Sequence, residues 1–225
     1  AHLGETIDIH AGGIDLVFPH HENEVAQSTC AHGGHTFARW WLHNGMLTFG
    51  GSKMSKSVGN VLELHQLLQT QPPEALRLLL LRAHYRQPLD WSDATLEQSI
   101  RTLDGWYGAL RDLAEIAVDD TRLPVPEAIE AALCDDLNTP QALAELASLA
   151  DAARKAETPE ARRTAKATLL GGGALLGLLQ GDPEAGGKHG AGGAEIDSDA
   201  VDALIEARRT ARDRHGRETV LGRKP

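Results

Sequence analysis

The stretch Gly51-Ser52-Lys53-Met54-Ser55-Lys56-Ser57-Val58-Gly59-Asn60 has the residue types for phosphate chemistry. Two lysines three apart, among small residues, can bring two ammonium groups to one polyanion while the backbone folds around it. Compact ammonium charges suit phosphate, above all where charge develops during phosphoryl or nucleotidyl transfer. Most such pairs are solvated basic loops. Here all five letters of KMSKS follow an apolar segment and precede Gly-Asn, which makes Lys53 and Lys56 candidate catalytic residues.

A second stretch is Gly12-Gly13-Ile14-Asp15-Leu16-Val17-Phe18-Pro19-His20-His21-Glu22-Asn23-Glu24. Glycines after a strand allow a ligand close to the backbone, and a helix N-terminus follows. Asp15 can accept hydrogen bonds from ribose hydroxyls. His20 and Glu24 are four apart, so on a helix they share a face, a spacing that suits two ligands of one zinc ion. Taken alone, such a pair is more often hydrogen-bonded surface, and nothing nearby supplies the rest of the roughly four ligands zinc needs.

These segments need elements to hold them. Residues 6–10 alternate as a strand and run into a turn at Ala11-Gly12-Gly13. Pro19 stands where a first helical residue belongs, and 20–29 reads as a helix. Residues 40–49 read as one strand, 50–60 as a polar loop, and 61–70 and 73–84 as helices. Beyond about residue 92, Leu96, Ile100, Leu103, Tyr107, Leu110, Leu113 and Ile116 recur with the period of one helix face, capped by Ser92 or Asp93. Thr139-Pro140 opens another helix carrying Leu143, Leu146 and Leu149. A further apolar stretch, 165–179, is weakened by Gly171-Gly172-Gly173. The fold class expected is α-dominated α/β: two or three parallel strands in 1–95, then an antiparallel helical bundle over 96–180. Residues 181–197 read as a flexible linker, and 198–225 begin a further region with a helix at 198–215.

The 225 residues carry 22 Lys and Arg against 32 Asp and Glu, formally −10, which excludes a general polyanion-binding surface but not a local one. Residues 39–101 are such a locality, with seven basic and five acidic side chains. Arg77, Arg82 and Arg86 there suit either RNA phosphates or a salt-bridged helix face. No apolar run approaches the roughly 20 residues of a membrane-spanning helix. Ala1-His2-Leu3-Gly4-Glu5 is unlike a secretory signal. Cys30 and Cys134 give no disulfide framework, and a reducing cytoplasm is expected. The chain begins with Ala inside a structured-looking segment, as a piece of a longer protein would. His32, His35 and His43 are expected to be structural or solvated, with His43 on the floor of the site. Trp40, Trp41 and Cys134 are expected in the core.

The stretches GGIDLVFPHHENEVAQS (12–28), WWLHNGMLTFGGSKMSKSVGN (40–60), LRLLLLRAHYRQPLDWS (76–92) and CDDLNTPQAL (134–143) closely resemble class I aminoacyl-tRNA synthetases of the cysteinyl type. The resemblance covers about 5–155 and returns in VDALIEARRTARD (201–213). It implies the end of a Rossmann-type catalytic domain followed by a tRNA-binding bundle. It also implies a monomeric enzyme that joins cysteine to ATP with Mg2+ and passes the cysteinyl group to tRNA(Cys). By resemblance His20 and Glu24 are two of four ligands of a zinc ion that selects the thiol. Lys56 contacts ATP with support from Lys53, and Gly12 and Asp15 line the adenosine side. The two cysteine ligands and the HIGH motif of the family are expected before residue 1, and Cys30 and Cys134 do not match them. With half a ligand set, this chain alone is expected to bind zinc weakly and to be inactive. Two other readings are a cysteine:glucosaminyl-inositol ligase of thiol biosynthesis and a non-catalytic copy that binds tRNA.

Overall fold

The computed structural model describes residues 4–53 and 63–184. Strand β1 (Ile7–Gly13) pairs in parallel with β2 (Ala38–Asn44), Ile9 opposite Trp40 and Gly13 opposite Asn44. Parallel neighbours need a crossover. Here it comprises a 3-10 turn at Ile14–Leu16, a wider helical turn at Val17–His21, and α1 (Glu22–Ala31). The strand does not stop at residue 10, as its pattern suggested, but runs through both glycines. A Cβ on Gly12 would stand 2.8 Å from Cε1 of His21, so glycine here lets an imidazole lie against the strand. The helix begins two residues later than its pattern suggested. Phe18, ahead of Pro19, holds extended backbone (φ −137°, ψ 134°), and the wider turn uses up the chain to His21.

The single strand expected at 40–49 is two strands in two sheets. After β2, the Gly45 N–H donates to the Tyr85 carbonyl at 2.7 Å, and any Cβ there would meet the Gln87 carbonyl. The chain therefore leaves the first sheet. It re-enters as β3 (Leu47–Phe49), the centre of a second sheet between β4 (Ser52–Lys53) and β5 (Leu89–Trp91). β3 runs antiparallel to β4 and parallel to β5. Gly50 (φ +56°) and Gly51 (φ +76°) make the two-residue hairpin turn, a conformation glycine adopts without strain. Thus the segment read as loop from residue 50 opens with a hairpin turn and the short strand β4, and β5 had no counterpart in the sequence reading.

Helices follow: α2 (Leu64–Thr70), α3 (Pro73–Leu81), α4 (Asp93–Arg111), α5 (Glu127–Cys134), α6 (Thr139–Lys155) and α7 (Pro159–Leu176). Ser92 caps α4 as expected. Its hydroxyl accepts the Thr95 N–H at 3.2 Å, and the Thr95 hydroxyl accepts the Ser92 N–H at 3.0 Å, a reciprocal capping box. α4 ends at Arg111, so Leu113 and Ile116 lie past it, although Leu113 stays buried. The cap of α6 is Asn138, one residue ahead of the Thr139 read from sequence, its Oδ1 accepting from Gln141 N at 3.2 Å. α5 has no counterpart in the sequence reading.

The largest departure is α7, which starts at Pro159 behind a Thr158 cap and runs straight through Gly171-Gly172-Gly173. These glycines are buried. A Cβ on Gly171 would overlap the Pro124 carbonyl, and one on Gly172 would lie 2.7 Å from Ile129 Cδ1 and 3.1 Å from Leu146 Cδ1. Their smallness lets α5, α6 and the 123–124 segment approach, and packing outweighs the low helix propensity of glycine. A continuous buried cluster runs from Ala75 to Leu179, taking in α3 and Trp91 as well as α4 to α7. The β1–β2 pair lies outside it, with Ile9, Phe18 and Trp40 exposed. No described helix is long and apolar enough to cross a membrane. The linker and final helix read at 181–215 lie, from residue 185 on, outside the described residues.

Candidate active site

The β1–α1–β2 unit gathers imidazoles. His10 projects from β1, His20 and His21 from the turn before α1, Glu24 from its first turn, and His43 from β2. Glu24 is gripped on both oxygens: His10 Nε2 lies 2.9 Å from Oε2, and His20 Nε2 lies 3.3 Å from Oε1. The i,i+4 spacing thus places the His20 and Glu24 side chains together on one face, as the sequence required. His21 is 4% exposed, and its Nδ1 lies 3.0 Å from Nε2 of His43, one ring donating and the other accepting. Burial first, then the neighbouring imidazoles of His10 and His43, holds the His21 pKa below the ordinary histidine range. Trp41 stacks on His43 (ring centres 5.9 Å apart, planes 11° from parallel) and meets the edge of His10.

Two donor sets share Glu24. His20 with Glu24 is the pair read from spacing. His10, His21 and Glu24 form a trio, with one ligating atom of each within 4.8 Å of the others. His10 holds one Glu24 oxygen, His20 lies beside the other, and His21 is bonded to His43. A nitrogen and a carboxylate oxygen 3.3 Å apart on one helix turn fit two corners of a tetrahedral zinc site. His10 and His21 were not singled out by sequence reasoning. The signal for His10 is its position in β1, where the chain brings it beside Glu24 only through the strand–helix crossover.

Other expected residues fall as follows. Gly12 underlies the His21 ring, and the exposed Asp15 sits in the turn after β1 with its Oδ1 close over Gly13. Lys53 ends β4; its side chain and all of 54–62, Lys56 included, lie outside the described residues. The root of that segment is braced by Asp90, whose Oδ1 accepts the Gly51 N–H at 2.8 Å and the Thr48 hydroxyl at 2.7 Å. Asp90 carried no signal in the sequence. His32 accepts no role beyond the end of α1, its Nδ1 3.0 Å from the Ser28 carbonyl, and His35 pairs with Glu5 at 3.4 Å. Trp40, expected in the core, is 72% exposed, because neighbouring strand residues face opposite ways and Trp41 takes the inward side. Cys134, also expected to pack, is exposed at the end of α5, as is Cys30 on α1. Among the arginines, Arg77 Nε donates to the Leu176 carbonyl at 2.6 Å, and Arg86 Nε pairs with Asp136 at 2.8 Å.

A family model described as the tRNA synthetases class I (C) catalytic domain matches residues 1–101, and a DALR domain model matches 128–180. The cysteine–tRNA ligase of Xanthomonas campestris pv. campestris is 58% identical over 211 residues, covering 94% of this chain and 45% of that protein. That of Xylella fastidiosa is 59% identical over 222 residues, covering 94% and 46%. Among solved structures, Mycobacterium tuberculosis methionyl-tRNA synthetase bound by methionyl-adenylate aligns at TM-score 0.50 and 24% identity, over 81% of this chain and 43% of that one. A LeuRS–tRNA–LeuAMS ternary complex from Agrobacterium radiobacter aligns at TM-score 0.50 and 19% identity, over 75% and 24%. These two share the fold. The chain spans about half the length of the curated relatives it matches, and with them it belongs to the cysteinyl-tRNA synthetase family.

Proposed function

We propose that this chain serves as part of a cysteine–tRNA ligase, joining cysteine to ATP as cysteinyl-adenylate with release of pyrophosphate and passing the cysteinyl group to tRNA(Cys). The observation that carries the reading is the His20–Glu24 pair, 3.3 Å apart beside the His10 brace, in a chain 58% identical to a curated cysteine–tRNA ligase. The curated relatives do not favour the glucosaminyl-inositol ligase.

In this reading His20 Nε2 and Glu24 Oε1 hold a zinc ion with ligands from outside the chain. Zinc, when bound, supplies a soft Lewis acid that prefers a thiolate to an alcohol. His10 fixes the Glu24 carboxylate by holding its other oxygen. Gly12 and Asp15 line the adenosine side. Lys56, with Lys53, neutralises charge developing on the Mg2+-bound triphosphate as pyrophosphate leaves. Asp90 holds the hairpin from which those lysines emerge. The short connection between α6 and α7 supports an antiparallel bundle, proposed to receive tRNA, in a monomeric cytoplasmic enzyme.

The test is cysteine-dependent ATP–pyrophosphate exchange in the complete protein, with metal content measured alongside. Lys56→Ala lowers exchange by about 100- to 1000-fold. His20→Ala lowers zinc content and raises the cysteine requirement while leaving ATP binding nearly intact. Equal, small effects of Lys56→Ala and of the control Lys188→Ala would overturn the assignment.

A further inference from the structure

The three arginines at 77, 82 and 86 differ in what they hold. Arg77 and Arg86 are occupied by Leu176 and Asp136. The half-buried Arg82 side chain has no carboxylate or carbonyl partner among the described residues. It lines a groove of about 250 Å³ between α3, α4 and α6, walled by Leu78, Thr102, Trp106, Leu143 and Ala147. A partly desolvated guanidinium without an anion is unfavourable, and so is water held against apolar walls. One ligand with an apolar body and an anionic head relieves both.

We infer that this groove binds a small amphipathic carboxylate. The head pairs with the Arg82 guanidinium, whose planar fork matches a carboxylate through two parallel hydrogen bonds. The body lies along Leu78, Trp106 and Leu143. The Thr102 hydroxyl already donates to the Gln98 carbonyl at 2.8 Å, which leaves recognition of the head to Arg82. A space of about 250 Å³ suits a small ligand, of on the order of ten heavy atoms. An RNA backbone is disfavoured because Arg82 is the one cation among the lining residues. None of the residues proposed to hold zinc, adenosine or the triphosphate takes part; the groove lies in the bundle proposed to receive tRNA, and the RNA arm of the test below separates the two readings.

Sodium octanoate, with 1-octanol as its uncharged counterpart, is the probe. Titration of the chain followed by amide and indole NMR shifts is expected to give one saturable site of about millimolar affinity, with shifts centred on Trp106. Arg82→Gln, at a partly exposed position that leaves the core untouched, is expected to weaken octanoate by about tenfold or more and to leave octanol unchanged. Ala147→Phe, which fills the groove, removes both. Octanoate shifts that never saturate, or saturate equally in Arg82→Gln, overturn the proposal. So does Arg82-dependent binding of inorganic phosphate or an RNA oligonucleotide in place of octanoate.

Discussion

Asp90 on β5 accepts the backbone N–H of Gly51 at 2.8 Å, which ties the turn ahead of the two candidate lysines to a strand about forty residues later in the chain. The Gly51 N–H, then the Thr48 hydroxyl, hold the Asp90 pKa below the ordinary carboxylate range. A lowered folded-state pKa means a contribution present above the unfolded value and lost as pH falls through the folded one. The Gly51 amide shift is therefore expected to stay constant down to the ordinary aspartate range and to move only below it. In Asp90→Asn that low-pH movement disappears. Asp90→Ala is also expected to slow ATP–pyrophosphate exchange on the order of ten- to hundredfold by loosening the hairpin.

Tyr107 responds at the other end of the pH scale. Its hydroxyl donates to Glu74 Oε2 at 2.8 Å and accepts the Gly181 N–H at 2.8 Å. Burial, then the Glu74 carboxylate, pushes its pKa up to about 12. A raised folded-state value means that its contribution is full below about pH 10 and is lost as pH rises to about 12. Urea midpoints measured across that window should fall steeply for the native chain and less steeply for Tyr107→Phe.

Two glycines in helices should respond to alanine with opposite signs. Gly172→Ala places a methyl 2.7 Å from Ile129 Cδ1 and is expected to destabilise by about 1–3 kcal/mol through overpacking. In Gly105→Ala the nearest atom is the flexible end of Arg154 at 3.6 Å, so helix propensity decides, giving a gain of about 0.5–1 kcal/mol. Chemical denaturation of the two variants checks both.

Ser92→Ala removes the acceptor of the Thr95 N–H at the start of α4. A loss of about 1 kcal/mol is expected, and Ser92→Asp should restore most of it. The readout is the denaturation midpoint, with hydrogen exchange at Thr95 showing the fraying directly.

What the sequence determined by itself is local: apolar period, caps and motif spacing. The face of α4 from Leu96 to Leu110, its Ser92 cap and the one-turn separation of His20 from Glu24 follow from residues within a few positions of one another. Tertiary structure decided whatever depends on a distant partner. Glycine weakens a helix in isolation, yet Gly171-Gly172-Gly173 continue α7 because only hydrogen side chains let Pro124, Ile129 and Leu146 come so close. Residues 40–49 read as one strand, yet the Gln87 carbonyl pressed against Gly45 divides them between two sheets. The β1–β2 pairing and the crossover helix bring His10, His21 and His43 around Glu24 from positions up to 33 residues apart, and Asp90 reaches Gly51 only because β5 lies beside β3. Such contacts leave no periodic trace in sequence, because which side chains face each other across a sheet is fixed by strand pairing rather than by their neighbours along the chain.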